Sequence, residues 1–493
     1  MNSKKILSLV LLSAGYASLI SAATTPECAS HQFIPRGAST DLTWIDALTR
    51  YDVLHRKEKF IYTSTSIYQQ STHNKRFASS FLLGDGNNFI NVNTVPVAGT
   101  VVNATELGLA RVDPLTGPFT SLFTIKPTRK QFTYLGNFYF KLDDWWCGLW
   151  GDITFGITNV HHRLNCTEVT NGSDLYPHLS FISNGIPDVS TSLSSRPDLN
   201  YSQFYCGNCL DGKRRTGIED IQVRLGYNYE WCDDAHVGIY GIVTIPAGRN
   251  PTQQFIFEPL VGSKHWSVGV GFMGDYAAWC CDDSNITLLT DFNYRYVLSH
   301  KECRTFDLMP NGTFSRYLLL VYPTDATTLA NPFPAADITT FSVKVTPRST
   351  IQWWIGLNYE YCDWDFEAGY NLYWRQREQI KTSSVADFTT TAGVYNLASG
   401  VAAVTASDAT ITSVGTADAT FIPLTAANLN ITSAEAGRVL SNKVYGAFSW
   451  MGCACNCFDW MAGFGASYEF VTGNSKCNAL SSWAVFSKVA IGF

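Results

Sequence analysis

Five segments of the chain repeat one plan: a strand rich in glycine and aromatics, a tight junction carrying cysteine with aspartate or tryptophan, then a second alternating strand. They run from Gly136 to Ile157, Arg224 to Val243, Val268 to Tyr296, Ile355 to Trp374 and Val444 to Phe470. Successive side chains of a strand point to opposite faces, so each segment sorts by parity. Val223, Leu225, Tyr227, Tyr229 and Trp231 fall on one side, and Gln222, Arg224, Gly226, Asn228 and Glu230 on the other. Ile351, Trp353, Ile355, Leu357, Tyr359 and Tyr361 oppose Gln352, Gly356, Asn358 and Glu360, with Trp354 the exception on the polar side. Phe292, Tyr294, Tyr296 and Leu298 likewise oppose Asp291, Asn293 and Arg295. Such a series is a row of antiparallel hairpins with one face suited to lipid and the other to water.

Composition supports that division. Charged residues make up 15% of the chain, against roughly 25% in a soluble globular domain. Aromatics reach 14%, and Trp145, Trp146, Trp231, Trp279, Trp364, Trp450 and Trp460 all lie beside the tight junctions, where an interfacial girdle would sit. Beyond the leader, no window reaches the roughly 18 to 20 apolar residues that a membrane-spanning helix requires. Any membrane span is therefore β. A formal net charge of −6 gives no case for nucleic-acid binding.

The two ends carry signals of their own. Lys4 and Lys5, an apolar run to Ile20, and the small residues Ser21, Ala22 and Ala23 read as a cleaved signal peptide over residues 1–23. At the other end Trp483, Val485, Val489, Ile491 and the terminal Phe493 share one face, interrupted by Ser487, as in a last strand that closes a barrel.

Long connections alternate with the tight junctions. External loops are expected at about 159–217, 246–262, 299–341, 381–438 and 472–481. Short turns at one end and long loops at the other imply an all-β fold, a transmembrane antiparallel up-and-down barrel with short periplasmic turns, occupying residues 57–493. Taking Glu58 to Gln70 as the first strand and Trp483 to Phe493 as the last gives 12 strands. Further strands at Phe314 to Tyr322, Ala78 to Leu83 or Leu107 to Val112 would raise the count to 14 or 16. In the lead, residues 24–56, Leu42, Ile45, Leu48 and Tyr51 follow Ser39 and Thr40 at near-helical spacing. This predicts a short amphipathic helix, placed as a plug, a periplasmic helix or a packed lead-in. The loop 381–438, mostly Ala, Thr, Ser, Val and Asn, reads as a flexible or low-complexity insertion.

Fourteen cysteines behind an export signal point to an oxidising compartment. Cys147, Cys232, Cys280, Cys281, Cys362, Cys453, Cys455 and Cys457 would emerge together on the periplasmic rim as disulfide candidates, between neighbouring turns or between chains. Cys166, Cys206, Cys209, Cys303 and Cys477 fall in the opposite loops, and Cys28 in the lead. The C-x-C-x-C run at Cys453 and the C-x-x-C pair at Cys206 lack the second pair or spaced histidines of a zinc site, so no metal and no cofactor are expected. Nine scattered histidines with no nucleophile elbow argue against an enzyme. The sequons at Asn103, Asn165, Asn171, Asn285, Asn311 and Asn430 leave a eukaryotic secreted glycoprotein as a further reading.

The signal peptide, the Cys-Asp hairpins Trp231 to Asp233 and Trp279 to Asp282, and the terminal Phe493 resemble the cysteine-rich major outer membrane porins of chlamydia-like bacteria. That resemblance implies a porin for small hydrophilic solutes, often oligomeric and disulfide-linked. The expected function is passive diffusion through a lumen lined by Lys141, Arg224, Arg295, Arg375 and Arg377 against Glu230, Asp291, Glu360 and Glu367, with Asp152, Asp275 and Glu469 on the same face. Paired charges filling a closed lumen is the competing expectation for about 12 strands. A structural or adhesive barrel cross-linked through cysteines is the alternative role, with an outer membrane hydrolase behind both. The expected location is the outer membrane of a Gram-negative-type bacterium. The expected partners are the lipid bilayer, barrel assembly machinery, and further copies or other envelope proteins.

Overall fold

The computed structural model describes residues 32–49, 60–81, 88–93, 101–103, 120–165, 167–171, 212–232, 235–253, 257–281, 283–309, 316, 319–320, 333–395, 421–454 and 458–492. Among them, twelve antiparallel strands close a barrel: β1 (Phe60–Ser71), β2 (Thr128–Lys141), β3 (Leu149–Arg163), β4 (Ile221–Cys232), β5 (Ala235–Ile245), β6 (Ser267–Cys281), β7 (Ser284–Val297), β8 (Arg348–Tyr361), β9 (Trp364–Arg375), β10 (Val439–Ala454), β11 (Phe458–Val471) and β12 (Ser482–Gly492). Each pairs with its neighbours in sequence, and the ring closes where β1 meets β12, from Ile61 opposite Gly492 to Ser71 opposite Ser482. Closure leaves no strand edge exposed to lipid, the condition for a sheet to cross a bilayer. One irregularity matters below. Lys213–Ile218 continues β4 upward along β3 across a one-residue slip at Glu219 and Asp220, with the Glu219 amide still donating to the Gly156 carbonyl at 2.8 Å.

Parity divides the side chains as the sequence implies. Phe132, Leu225, Ile239, Val270, Leu357, Phe464, Val485 and Val489 lie exposed on the outside. Thr133, Asp152, Arg224, Asp291, Gln352, Asn371, Lys443 and Lys488 are buried inside. The exposed indoles of Trp145, Trp146, Trp279, Trp364 and Trp450 gather at the tight-turn end, with Trp364 stacked on Trp450 at 6.0 Å. That belt suits the membrane–water boundary. Glycine permits one close approach on the inner wall: a Cβ at Gly226 would sit 2.4 Å from the Trp150 ring, which covers it from the neighbouring strand.

At the opposite end the connections carry structure of their own. His300–Thr305 pairs with Thr340–Thr346, which pairs in turn with Gln379–Ile380. Within the long low-complexity connection Thr389–Tyr395 pairs with Phe421–Thr425. Of the additional strands entertained from sequence, the described residues do not join the barrel. Residues Lys75–Phe81 form a helix, and Leu319–Leu320 pairs only with Phe333–Pro334. Residues 107–112, the expected signal peptide 1–23 and Phe493 lie outside the described residues.

Candidate functional site

The site is the lumen, and the chain's own N-terminal segment fills it. Residues 33–49 run inside the barrel from the loop end toward the tight-turn end, and most are buried, continuously so from Asp41 to Thr49. Phe33 packs on Phe77 and Phe257 near the loops, while Asp46 meets Arg224 deep in the wall. Asp41 caps one helical turn, α1 (Leu42–Asp46), by accepting from the Thr43 amide at 3.0 Å. The near-helical pattern predicts a longer helix, but the turn ends at Ala47. Lys488 donates to the carbonyls of Ile45 at 3.0 Å and Ala47 at 2.6 Å and to the Thr49 hydroxyl at 3.1 Å, competing for acceptors that a continuing helix would use. Leu48 then takes a left-handed backbone, φ 64°, with its amide donating to Glu367 at 2.6 Å. A non-glycine residue in that region is strained and persists only where its surroundings hold it.

Polar side chains of the wall grip this segment along its length. Toward the loop end Arg375 donates to the Ile34 carbonyl at 2.8 Å, and Arg36 donates to Gln352 at 2.5 Å and Asn371 at 2.9 Å. Arg295 and Gln352 both donate to the Thr40 carbonyl, at 3.2 and 2.7 Å. At mid-height Asp41 pairs with Arg36 at 2.9 Å and with Lys443, whose ammonium also lies 4.3 Å from the Trp44 ring centre. Lower down Arg224 gathers Asp46, Asp152 and Asp291 at 3.3, 2.5 and 3.4 Å, and Tyr240 donates to Asp291. Of the inward side chains of the mid-barrel, Gln352, Asn371, Asp365 and Met461 are fully buried. The lumen is closed in this conformation.

Of the residues expected to line a pore, Arg224, Asp291, Arg295, Glu367 and Arg375 converge on the N-terminal segment or its immediate neighbours. Lys141 is half-buried near the tight-turn end, and Glu360 is half-buried and accepts from Asn285 at 2.6 Å. Arg377 lies past the end of β9, partly exposed, and pairs with Glu435 at 3.1 Å instead of facing the lumen. Glu230 pairs in register with His236; its side chain is outside the description. Sequence reasoning passed over Arg36, Asp41, Asp46, Lys443 and Lys488. The usable signal was parity: Lys443 and Lys488 are single charges on the inward face of otherwise apolar or small-residue strands.

The rim cysteines Cys147, Cys280, Cys281 and Cys362 are exposed free thiols at the tight-turn end, so bridges among these four are not formed here. Cys453 is exposed beside them, whereas Cys455, Cys457 and the side chain of Cys232 fall outside the description. Cys477, at the loop end, is disulfide-bonded. Also beyond the barrel strands, the His265 ring meets the Leu298 carbonyl at 2.6 Å and Glu302 at 2.9 Å, and Arg304 joins Glu302 at 2.6 Å and Glu378 at 3.1 Å. Burial works against the charge on His265, but the hydrogen bond and charge of Glu302 raise it above the ordinary histidine value. Burial likewise opposes the Glu302 charge, and Arg304 and His265 bring it below the ordinary glutamate value.

Solved outer membrane barrels resemble it. An outer membrane channel from Pseudomonas putida F1 aligns over 88% of this chain and 95% of its own at 8% identity, with a TM-score of 0.37. A Pseudomonas aeruginosa FadL homologue covers 88% and 90% at 10% identity, TM-score 0.27. The translocator domain of the autotransporter NalP from Neisseria meningitidis covers 90% and 91% at 7% identity, TM-score 0.31. No family model and no curated protein sequence matches the chain. The barrel assignment stands on the chain's own closed ladder of strands.

Proposed function

We propose that the protein is an outer membrane channel closed at rest by its own N-terminal segment, and that small hydrophilic solutes or ions pass by diffusion when that segment leaves the lumen. The supporting observation is the polarity of the grip. Buried ion pairs are seldom more stabilising than apolar packing of similar volume, so a lumen that needed only to be filled would have no use for Arg224, Asp291, Lys443 and Lys488. Once the segment departs, the same groups leave a wall of mixed charge that water can wet, as a diffusion pore requires. Among the described residues the segment contributes no strand to the ladder, so its departure would break no strand pairing.

Export by the leader, outer membrane residence and the resemblance to cysteine-rich porins fit this reading. In it the tight turns face the periplasm, and the exposed rim thiols form bridges between turns or between chains on oxidation. Liposome swelling tests the channel. Vesicles carrying the full chain should swell slowly in small sugars and markedly faster with Lys488→Met, which frees the segment. Equal and negligible swelling in both, with the barrel folded, would favour the structural or adhesive role, and a ladder of cross-linked species on non-reducing electrophoresis would then define it.

A further inference from the structure

At the loop end of the lumen, above α1, lies a cavity of about 140 Å³. Seven arginines and lysines line it against four carboxylates. Three of those carboxylates are engaged elsewhere, and Glu219 is engaged through one oxygen, its Oε2 being buried without a hydrogen-bond partner among the described residues. Glu302 and Glu378 hold Arg304, Asp220 accepts the amides of Ala247, Gly248 and Ser263, and Glu219 accepts from Thr158 at 2.7 Å. Three buried guanidinium groups have only neutral acceptors. Arg129 donates to Gln69 and Gln131, Arg295 to Gln222 and the Thr40 carbonyl, and Arg375 to the carbonyls of Ile34 and Gly437. Each keeps a buried Nε without a protein partner, and none has a carboxylate within ion-pair distance among the described residues. Their exposures are 8%, 4% and 4%.

Guanidinium is always charged, and burying it without a counter-charge is costly. Three such groups around one recess form a receptor for an anion whose oxygens can accept forked N–H pairs. We infer that this cavity binds a small oxyanion, a carboxylate or a phosphate, held by Arg129, Arg295 and Arg375. The site goes beyond the gating role. Because Arg295 and Arg375 also hold Thr40 and Ile34, an anion there sits between the wall and the top of the segment that closes the lumen.

The test is calorimetric titration of the full-length protein, refolded in detergent, with inorganic phosphate and with succinate at constant ionic strength, and with dimethyl succinate as the uncharged control. Binding is read whether or not the barrel conducts, so its failure is distinct from a failure of the channel reading. Saturable heat is expected with at least one anion and none with the diester, and the tighter of the two identifies the preferred chemistry. Arg295→Gln and Arg375→Gln should each weaken binding about tenfold or more, while Asp363→Asn, in an exposed tight turn at the far end, should leave it unchanged. Heat-dependent electrophoretic mobility verifies folding. Should a glutamine variant not fold, Arg295→Lys, which keeps the charge and loses the fork, should weaken binding severalfold. The inference is overturned if the folded protein gives no saturable heat with either anion to about 10 mM, or if the folded arginine variants bind as tightly as the parent.

Discussion

Replacing Lys488 with methionine removes three hydrogen bonds to the closing segment while keeping the side chain's bulk. Lys488 is 1% exposed, and all three of its donors are spent on Ile45, Ala47 and Thr49. A hydrogen bond from a charged group contributes about 1.5–3 kcal/mol, but part of the sum is offset because the lysine no longer has to be desolvated. Each neutral acceptor left buried without its donor costs about 1–3 kcal/mol, and a net loss of about 3–4 kcal/mol is expected over the three contacts. The undocked population should therefore rise by about 10²- to 10³-fold, at about 1.4 kcal/mol per factor of ten. Hydrogen exchange followed by mass spectrometry reads that population directly. Peptides spanning Leu42 to Thr49 should exchange about a hundredfold faster or more, while strand peptides around Thr63 and Asn137 keep their protection. Unchanged exchange over 42–49 in a folded variant would refute the reasoning, as would an equal rise in the strands, which would mean that Lys488 supports the barrel and not the segment.

Trp354, fully buried, stacks on Tyr445 and packs against Leu42, Ala47 and Leu289, so Trp354→Ala should cost about 3–5 kcal/mol, read as a lower urea midpoint of the folded electrophoretic band. The raised His265 contributes stability that is complete below the ordinary histidine value of about 6.5 and fades as pH climbs through its folded value. The lowered Glu302 contributes above the ordinary glutamate range and loses its part as pH falls through its own folded value. Protection of the amides in His300–Thr305, measured relative to their intrinsic base-catalysed exchange, should thus be greatest between about pH 4.5 and 6.5 and fall on the alkaline side, and His265→Gln should abolish that fall; a flat protection profile would contradict the pairing. Impermeant maleimide applied from the tight-turn side should label Cys147, Cys280, Cys281 and Cys362 in reduced protein and fail after oxidation. Labelling that survives oxidation would remove the case for rim bridges.

The barrel was legible because its code is local. Parity in segments such as Val223 to Glu230 separates lipid from lumen within a few residues, and Arg224 and Asp291 fall inside by that rule alone. The closing segment was not legible, because its partners are remote. Thr40 meets Gln352, and Ala47 meets Lys488, across separations of 312 and 441 residues. The apolar spacing of Leu42, Ile45 and Leu48 suggests an amphipathic helix with a solvated face, whereas every side of α1 is covered by wall. Trp354, the one aromatic out of parity in its strand, was the visible trace of that contact, since it packs on Leu42 and Ala47. Arg377 misled for a related reason: parity carries it inward only if β9 continues, and the strand ends at Arg375.

Single-channel recording in planar bilayers tests the gate most directly. The refolded full chain should be closed for most of the record with rare stepwise openings, and Lys488→Met should open far more often to the same conductance level. A steady ohmic pore of equal size in both proteins, or a silent bilayer with both barrels folded, would contradict a lumen gated by residues 33–49.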